Sequence, residues 1–329
     1  MKILLLGDWR ENAGPANVNK SLIQHADADM LYIKSAGGIK RAIEVFYKLL
    51  VCDVVVFSAY GGLKLFKIAK RLGKKIAILK HGDLKFEGEI NHQFVPANQI
   101  ADDMMRQDEA DAIICASEKY SEWVAEHYPQ YKDKLTWVNN GVDIEARPKK
   151  DKYKNIVAIG GGNRAIKNNI NVCKAIEKLN AQGANITVES FGAVYSKNPS
   201  LDTQFPFVKV MGQMDREAYL RELDKVPLYV DAAYCESFGI SPIDALICNC
   251  SLLISTHVGA ISVFKEANMV LVKDCDDVEE IAQKISELLD KGNASELLNA
   301  VDYEKSSGDY AYKRLKWICR GLKDGKILM

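Results

Sequence analysis

The 329 residues are 48% hydrophobic and 27% charged, a balance that excludes a disordered or fibrous chain and predicts two domains, each with its own core. Lys and Arg equal Asp and Glu at 44 each, so no overall field favours nucleic acid as a partner. "MKILLLGD" is too short for a signal peptide, and no run approaches the roughly 18 apolar residues of a membrane helix, so a cytoplasmic protein is expected.

Short apolar, β-branched runs recur along the chain, each followed by an amphipathic segment of helix length. In the first half they are Lys2–Asp8, Asp53–Tyr60, Lys75–Gly82, Asp111–Ser117 and Leu135–Gly141. Such continuous apolar runs suit strands covered on both faces, and their alternation with helices predicts parallel, right-handed βαβ units. Residues 1–145 thus read as one Rossmann-like domain. Up to Lys85 basic residues outnumber acids about two to one; from there to Glu145 acids lead about three to one. The basic part includes Lys40-Arg41, Lys64, Lys67, Lys70-Arg71 and Lys74-Lys75. This pattern suits peripheral attachment to an anionic membrane, and equally a solvated helix surface.

Two places in this half suit a ligand. Gly14-Pro15 lies in the loop after the first strand, ahead of a helix expected from about Ala16, where backbone N–H groups can meet an anion. His81, followed by Gly82, ends a buried strand, where a side chain faces the crevice of an open sheet. It suits a sugar hydroxyl or a developing charge; a satisfied structural histidine is the other reading. His257, in "STHVGA", is the next candidate histidine.

Residues 146–154 fall in a polar stretch with Pro148 and several lysines and read as a linker. The second half repeats the strand pattern at Asn155–Gly162, Asn185–Gly192, Phe207–Gln213, Pro227–Tyr234, Ser251–Thr256 and Met269–Lys273. It predicts a second doubly wound domain over 155–305, with an interlobe cleft at the carboxyl ends of the strands. Residues 306–329 contain an amphipathic helix, Tyr310–Lys323, with aromatic residues on its apolar side.

The first strand of this half runs into "GGGNRAIK", Gly160–Lys167. Glycines let the backbone approach an anion, and Arg164 and Lys167, three apart, would share a helix face and clamp a diphosphate. A tight turn with two solvated cations fits the same residues. In "CESFGISPIDAL", Cys235–Leu246, Ser241 suits an N-cap, Pro242 the first helical position and Asp244 the third position of a capping box. Glu236 has no such local explanation: it ends a buried strand beside a helix start suited to phosphate. The Asp-x-Asp pairs Asp27/Asp29 and Asp274/Asp276 have local explanations too, so no metal is expected. The eight cysteines show one close pair, Cys248/Cys250, without histidines at metal spacing, and read as reduced structural thiols.

"ESFGISPIDAL", with "GGGNRAIKNN" and "NNGVD" (Asn139–Asp143) before it, resembles the family 4 retaining glycosyltransferases of the GT-B fold, whose signature is Glu, seven residues, Glu. Weaker likeness extends to Gly14-Pro15, His81-Gly82, Val208–Asp215 and the segment from Met269, so it spans nearly the whole chain. The resemblance implies these roles. Arg164, Lys167 and Asn163 would hold the donor diphosphate. Ser237, Phe238, Gly239 and Ile240 would contact phosphate or sugar hydroxyls, with Gly14 and Pro15 near the phosphates. Glu236 and His81 would flank the transferred sugar as catalytic residues. Asp244 would bind the ribose, and Gly212 and Met214 would receive the base. The last helix would cross back onto the first domain. Two departures stand out: the second acid is Asp, and the usual Gly-Gly with a nearby Glu is here "VGAISVF", Val258–Phe264.

The implied function is metal-independent, retaining transfer of a sugar from a nucleoside-diphosphate sugar to a saccharide or lipid-linked acceptor, as in polysaccharide synthesis, without other cofactors. Lys167→Ala is then expected to stop transfer and leave the fold intact. A catalytically silent partner subunit, or a GT-B sugar-nucleotide epimerase, are the alternatives.

Overall fold

The structure is a computed structural model and describes residues 1–7, 9–10, 14–58, 63–195, 198–265 and 269–326. It divides into two compact units. Unit 1 comprises Met1–Gly88, Phe94–Asp143 and Tyr303–Met329; unit 2 comprises Glu89–Gln93 and Ile144–Asp302.

In unit 1 the strands are β1 (Ile3–Leu6), β2 (Met30–Tyr32), β3 (Val54–Ser58), β4 (Lys75–Lys80), β5 (Ala112–Cys115) and β6 (Leu135–Trp137). All pair in parallel, in the order β2-β1-β3-β4-β5-β6. β3 is buried along its whole length, as a Val-rich run covered on both faces requires. One face packs under α1 (Gly14–Gln24) and the last helix, Gly308–Lys323; the other packs under α2 (Gly38–Val51) and α3 (Leu63–Arg71). Gly14 and Pro15 form the first turn of α1, not a loop before it. Proline suits that turn, because its missing N–H would have no intrahelical partner there.

Unit 2 contains β7 (Ile156–Ile159), β8 (Thr187–Phe191), β9 (Val208–Gly212), β10 (Leu228–Asp231), β11 (Ser251–Ser255) and β12 (Leu271–Val272). They form a second parallel sheet in the order β12-β11-β10-β7-β8-β9. The central strands β10, β7 and β11 carry the chemistry-bearing residues at their carboxyl ends, the usual place in a doubly wound sheet. The polar stretch before β7 is fastened to unit 2. Arg147 N–H donates to Ile247 O at 2.8 Å, Lys150 meets Asp224 at 2.6 Å, and Lys152 reaches Cys248 O at 2.8 Å. Its cations bind carbonyls and a buried carboxylate, which composition alone leaves as solvated linker charge.

Among the described residues no helix is long and apolar enough to cross a membrane, and no group of three or more His, Cys, Asp or Glu side chains gathers as a metal site. All eight cysteines are buried and none is in a disulfide.

Candidate active site

At the carboxyl end of β7 the chain turns through glycines into a short 3-10 turn, Ala165–Lys167. Gly161 has φ +78, and a Cβ there would lie 2.6 Å from Cγ of Lys167. The lysine stem therefore passes directly over the glycine turn, and the glycines serve this packing. Lys167 is buried, and its Nζ lies 2.8 Å from Asp231 Oδ2 and 2.6 Å from Glu236 Oε2. One ammonium thus joins the end of β10 to the loop that follows it.

The two carboxylates differ. Burial raises the Asp231 pKa, Lys167 opposes this, and the Glu236 charge raises it further. Its Oδ1 is buried without a hydrogen-bond partner among the described residues. Burial also works against the charge of half-buried Glu236, but Lys167, Arg164 and the Phe238 N–H outweigh it and hold the pKa low. Burial depresses the Lys167 pKa, and its two carboxylates more than compensate, so the ammonium stays charged. Lys167 is therefore a structural cation as well as a candidate ligand. A Lys167→Ala chain would not keep its fold undisturbed, because Asp231 would be left buried and unpaired.

Glu236 is held by its backbone. It extends the ladder beyond β10, bridging Val258, with its N–H on His257 O at 3.1 Å and its carbonyl accepting from Gly259 N–H at 2.9 Å. Gly239 follows with φ +94 and caps the helix Ile240–Ile247 without any side-chain cap bond. The helix begins before Ser241, so the Ser-Pro capping box expected from the sequence does not form. Asp244 instead accepts a hydrogen bond from Arg216 Nη2 at 2.6 Å. Burial raises its pKa and Arg216 opposes the rise. With no side-chain cap, the first-turn N–H groups stay open to an anion. Phe238 has a buried ring, and Ser237 is half-buried.

Arg164 is half-buried, and its Nε donates to Gly161 O at 3.4 Å. Asn163 has its side chain engaged elsewhere. Its Nδ2 donates to Asn198 O at 2.8 Å and Tyr195 O at 3.0 Å, and its Oδ1 accepts from Tyr195 N–H at 2.7 Å. Gly212, at φ +73, ends β9, and its carbonyl accepts from Gly192 N–H at 3.0 Å. Half-buried Met214 precedes Asp215, which caps the helix Arg216–Leu223. Asp231 and Arg216 were not anticipated. Asp231 hides at the end of an apolar run, and Arg216 acquires its meaning only from Asp244.

In unit 1, His81 follows β4, and its Nε2 lies 2.8 Å from Ser58 Oγ at the end of β3. Burial lowers its pKa from the ordinary 6.5 to about 4, so the ring is neutral at neutral pH. It can exchange hydrogen bonds with a sugar but supplies no positive charge. Gly14 is exposed and Pro15 half-buried at the start of α1. His257 is exposed, and its carbonyl serves Glu236. Asp27 and Asp29 share the ammonium of Lys316, and Asp276 accepts from Tyr234, so both Asp-x-Asp pairs are engaged within the fold.

Two parallel six-stranded sheets, each wrapped by helices, place the chain among proteins of the GT-B architecture. HepE of Anabaena, in complex with UDP and glucose, superposes with a TM-score of 0.67 at 13% identity, over 96% of this chain and 98% of that one. Sucrose-phosphate synthase from Thermosynechococcus elongatus gives 0.67 at 14% identity, over 99% and 100%. Comparison with curated protein sequences gives no match. The profile of the family described as glycosyl transferases group 1 matches residues 142–307, half of the chain, and the chain belongs to that family. It is a glycosyltransferase.

Proposed function

We propose that the chain moves a sugar from a nucleoside-diphosphate sugar to a saccharide or lipid-linked acceptor, with retention of configuration and without a metal. The observation that carries this reading is the buried Lys167 ammonium between Asp231 and Glu236, beside Arg164 and an uncapped helix start. Negative charge grows on the departing diphosphate as the sugar becomes oxocarbenium-like. Arg164, Lys167 and the N–H groups at Gly239 and Ile240 supply donors for that charge, each worth about 3 kcal/mol in a dry, fixed site. Glu236, ionised, accepts hydrogen bonds from the donor sugar. Retention by same-face attack needs no strong base.

A thermal-shift screen with UDP, GDP, ADP and their sugars tests donor binding, with UDP first because HepE is known in complex with it. One nucleotide raising the melting temperature, and losing that effect in Glu236→Gln for the sugar nucleotide more than for the bare diphosphate, supports the reading. No response to any nucleotide favours a catalytically silent subunit, a reading motivated by Arg216 occupying Asp244. Interconversion of the free sugar nucleotide without acceptor would identify an epimerase.

A further inference from the structure

α2 is inverted for a surface helix. Its inward side buries only Val45 and Leu49, among Leu4, Val55, Phe57 and Phe66. Its flanks are tied down: Lys48 meets Glu44 at 2.5 Å, and Arg41 donates to Ser35 O at 3.1 Å. The outward side carries Ile39, Ile43, Phe46, Tyr47, Leu50 and Val51, each between 45% and 80% exposed. A helix on a water-facing surface keeps polar residues there, and contiguous apolar patches of this kind mark interaction sites.

α3 lies beside it. Phe66 and Ala69 share the core cluster of Val45 and Leu49, and Lys74 Nζ bonds Leu50 O at 2.9 Å and Cys52 O at 2.7 Å at the end of α2. α3 has no acid, and α2 has only Glu44, already paired. Exposed Lys40, Lys64, Lys67 and Arg71 have no ion-pair partner among the described residues. Ile68 and Leu72 continue the apolar surface between these cations.

We propose that the α2–α3 face of unit 1 docks on an anionic lipid bilayer, with the outward residues of α2 in the acyl–headgroup boundary and Lys40, Lys64, Lys67 and Arg71 on the anionic headgroups. An apolar stripe about 20 Å long, the span of a 14-residue helix, is the shape that lies in an interface plane. A second copy of the chain is a poorer occupant, because self-pairing of this face brings four like charges from each copy together. Nucleic acid could stack bases on Phe46 and Tyr47 but offers no apolar surface to cover Ile39, Ile43, Leu50 and Val51. The inference rests on the surface of unit 1 and is independent of the proposed reaction.

Flotation with vesicles of phosphatidylcholine alone, and with phosphatidylglycerol added, tests it on the intact chain. Binding is expected only or mainly with phosphatidylglycerol, weakening as salt screens the cations. A triple Lys64→Glu, Lys67→Glu, Arg71→Glu variant should lose about fivefold or more in partitioning per residue changed. A Phe46→Ser, Leu50→Ser variant should lose about tenfold or more with little change in melting temperature, since about half of each side chain is already in water. Phe46→Trp gives a second measurement on a chain with an intact apolar face: brominated lipid should quench the added fluorescence. Wild-type chain that ignores phosphatidylglycerol vesicles, variants that bind as wild type does, or an unquenched Trp would each overturn the proposal. A concentration-dependent dimer that Phe46→Ser, Leu50→Ser dissolves, without vesicle binding, would assign the face to a second copy.

Discussion

At Lys167 one ammonium serves two carboxylates, and its removal leaves Asp231 in the interior without a counter-charge. Breaking such a buried pair from one side costs about 3–5 kcal/mol. Lys167→Met should therefore lower the melting temperature and abolish transfer together. Adding Asp231→Asn should restore the melting temperature and not the turnover. A single variant that melts like the wild type would show that the pair contributes nothing to the fold. His81 gives a pH test. Its folded pKa of about 4 lies below the ordinary 6.5, so between those values the unfolded chain binds the extra proton. That contribution to stability is complete above about 6.5 and is lost as pH falls toward 4, at most about 3 kcal/mol. His81→Gln should flatten the acid limb of the stability profile; an unchanged limb would mean that the ring is not dehydrated. Glu236 and Lys167 were singled out in the sequence as candidates, and the structure brings the two side chains together at 2.6 Å. Asp231 was not: it closes the run "PLYVD", and only its contact with a lysine 64 positions earlier separates it from an ordinary strand end.

The helix Ile240–Ile247 shows where local sequence rules give way to packing. Ser241, Pro242 and Asp244 have capping-box spacing, yet the cap is made two residues earlier by Gly239, whose φ of +94 is open to glycine and costly for other residues. A Cβ there would stand 3.1 Å from Val258 Cγ1. Gly239→Ala is expected to cost about 1–3 kcal/mol and to weaken binding of a nucleoside diphosphate, since the helix start shifts with it. An alanine variant with unchanged melting and affinity would refute the assignment of this turn to the donor. Asp244, freed from capping, fixes Arg216, the residue that opens the helix after Gly212 and Met214. Asp244→Asn and Arg216→Ala should lower nucleotide affinity by similar factors, and Arg216→Ala, which leaves the buried Asp244 carboxylate without its partner, should also lower the melting temperature. Loss of affinity in Asp244→Asn alone would place Asp244 itself on the nucleotide; no change in either would remove both from the site. Strand periodicity was read well where runs are long and buried on both faces. β2 escaped it because Met30–Tyr32 is a three-residue edge strand among acids, paired only with β1.

At the scale of the whole chain, unit 1 is not continuous in sequence: the chain leaves it briefly for Glu89–Gln93, leaves it again at Asp143 for the rest of unit 2, and re-enters at Tyr303. The sequence showed the amphipathic last helix but misjudged its aromatic side, since Tyr312 is buried while Trp317 stays exposed. The helix Gly308–Lys323 inserts Ala311, Tyr312, Leu315, Ile318, Cys319 and Leu322 among Ile3, Leu5, Val54, Val56, Ala77 and Leu79 of the first sheet. Arg314 stacks over Trp137 with 4.2 Å to the ring centre, and its Nε donates to Trp137 O at 2.7 Å. Lys323 pairs with Asp53 at 3.0 Å. This helix is therefore part of the unit 1 core. Leu315, fully buried at its centre, has no room to be replaced by smaller neighbours, so Leu315→Ala should cost about 3 kcal/mol through lost burial and an unfilled cavity. The loss should be local, because the side chain belongs to a core cluster made of unit 1 residues. Hydrogen exchange should show amides of β1, β3 and β4 losing protection while those of β7, β10 and β11 keep theirs. Equal loss in both sheets would mean that the units unfold as one cooperative body, and no loss in either would mean that the helix is not part of the first core.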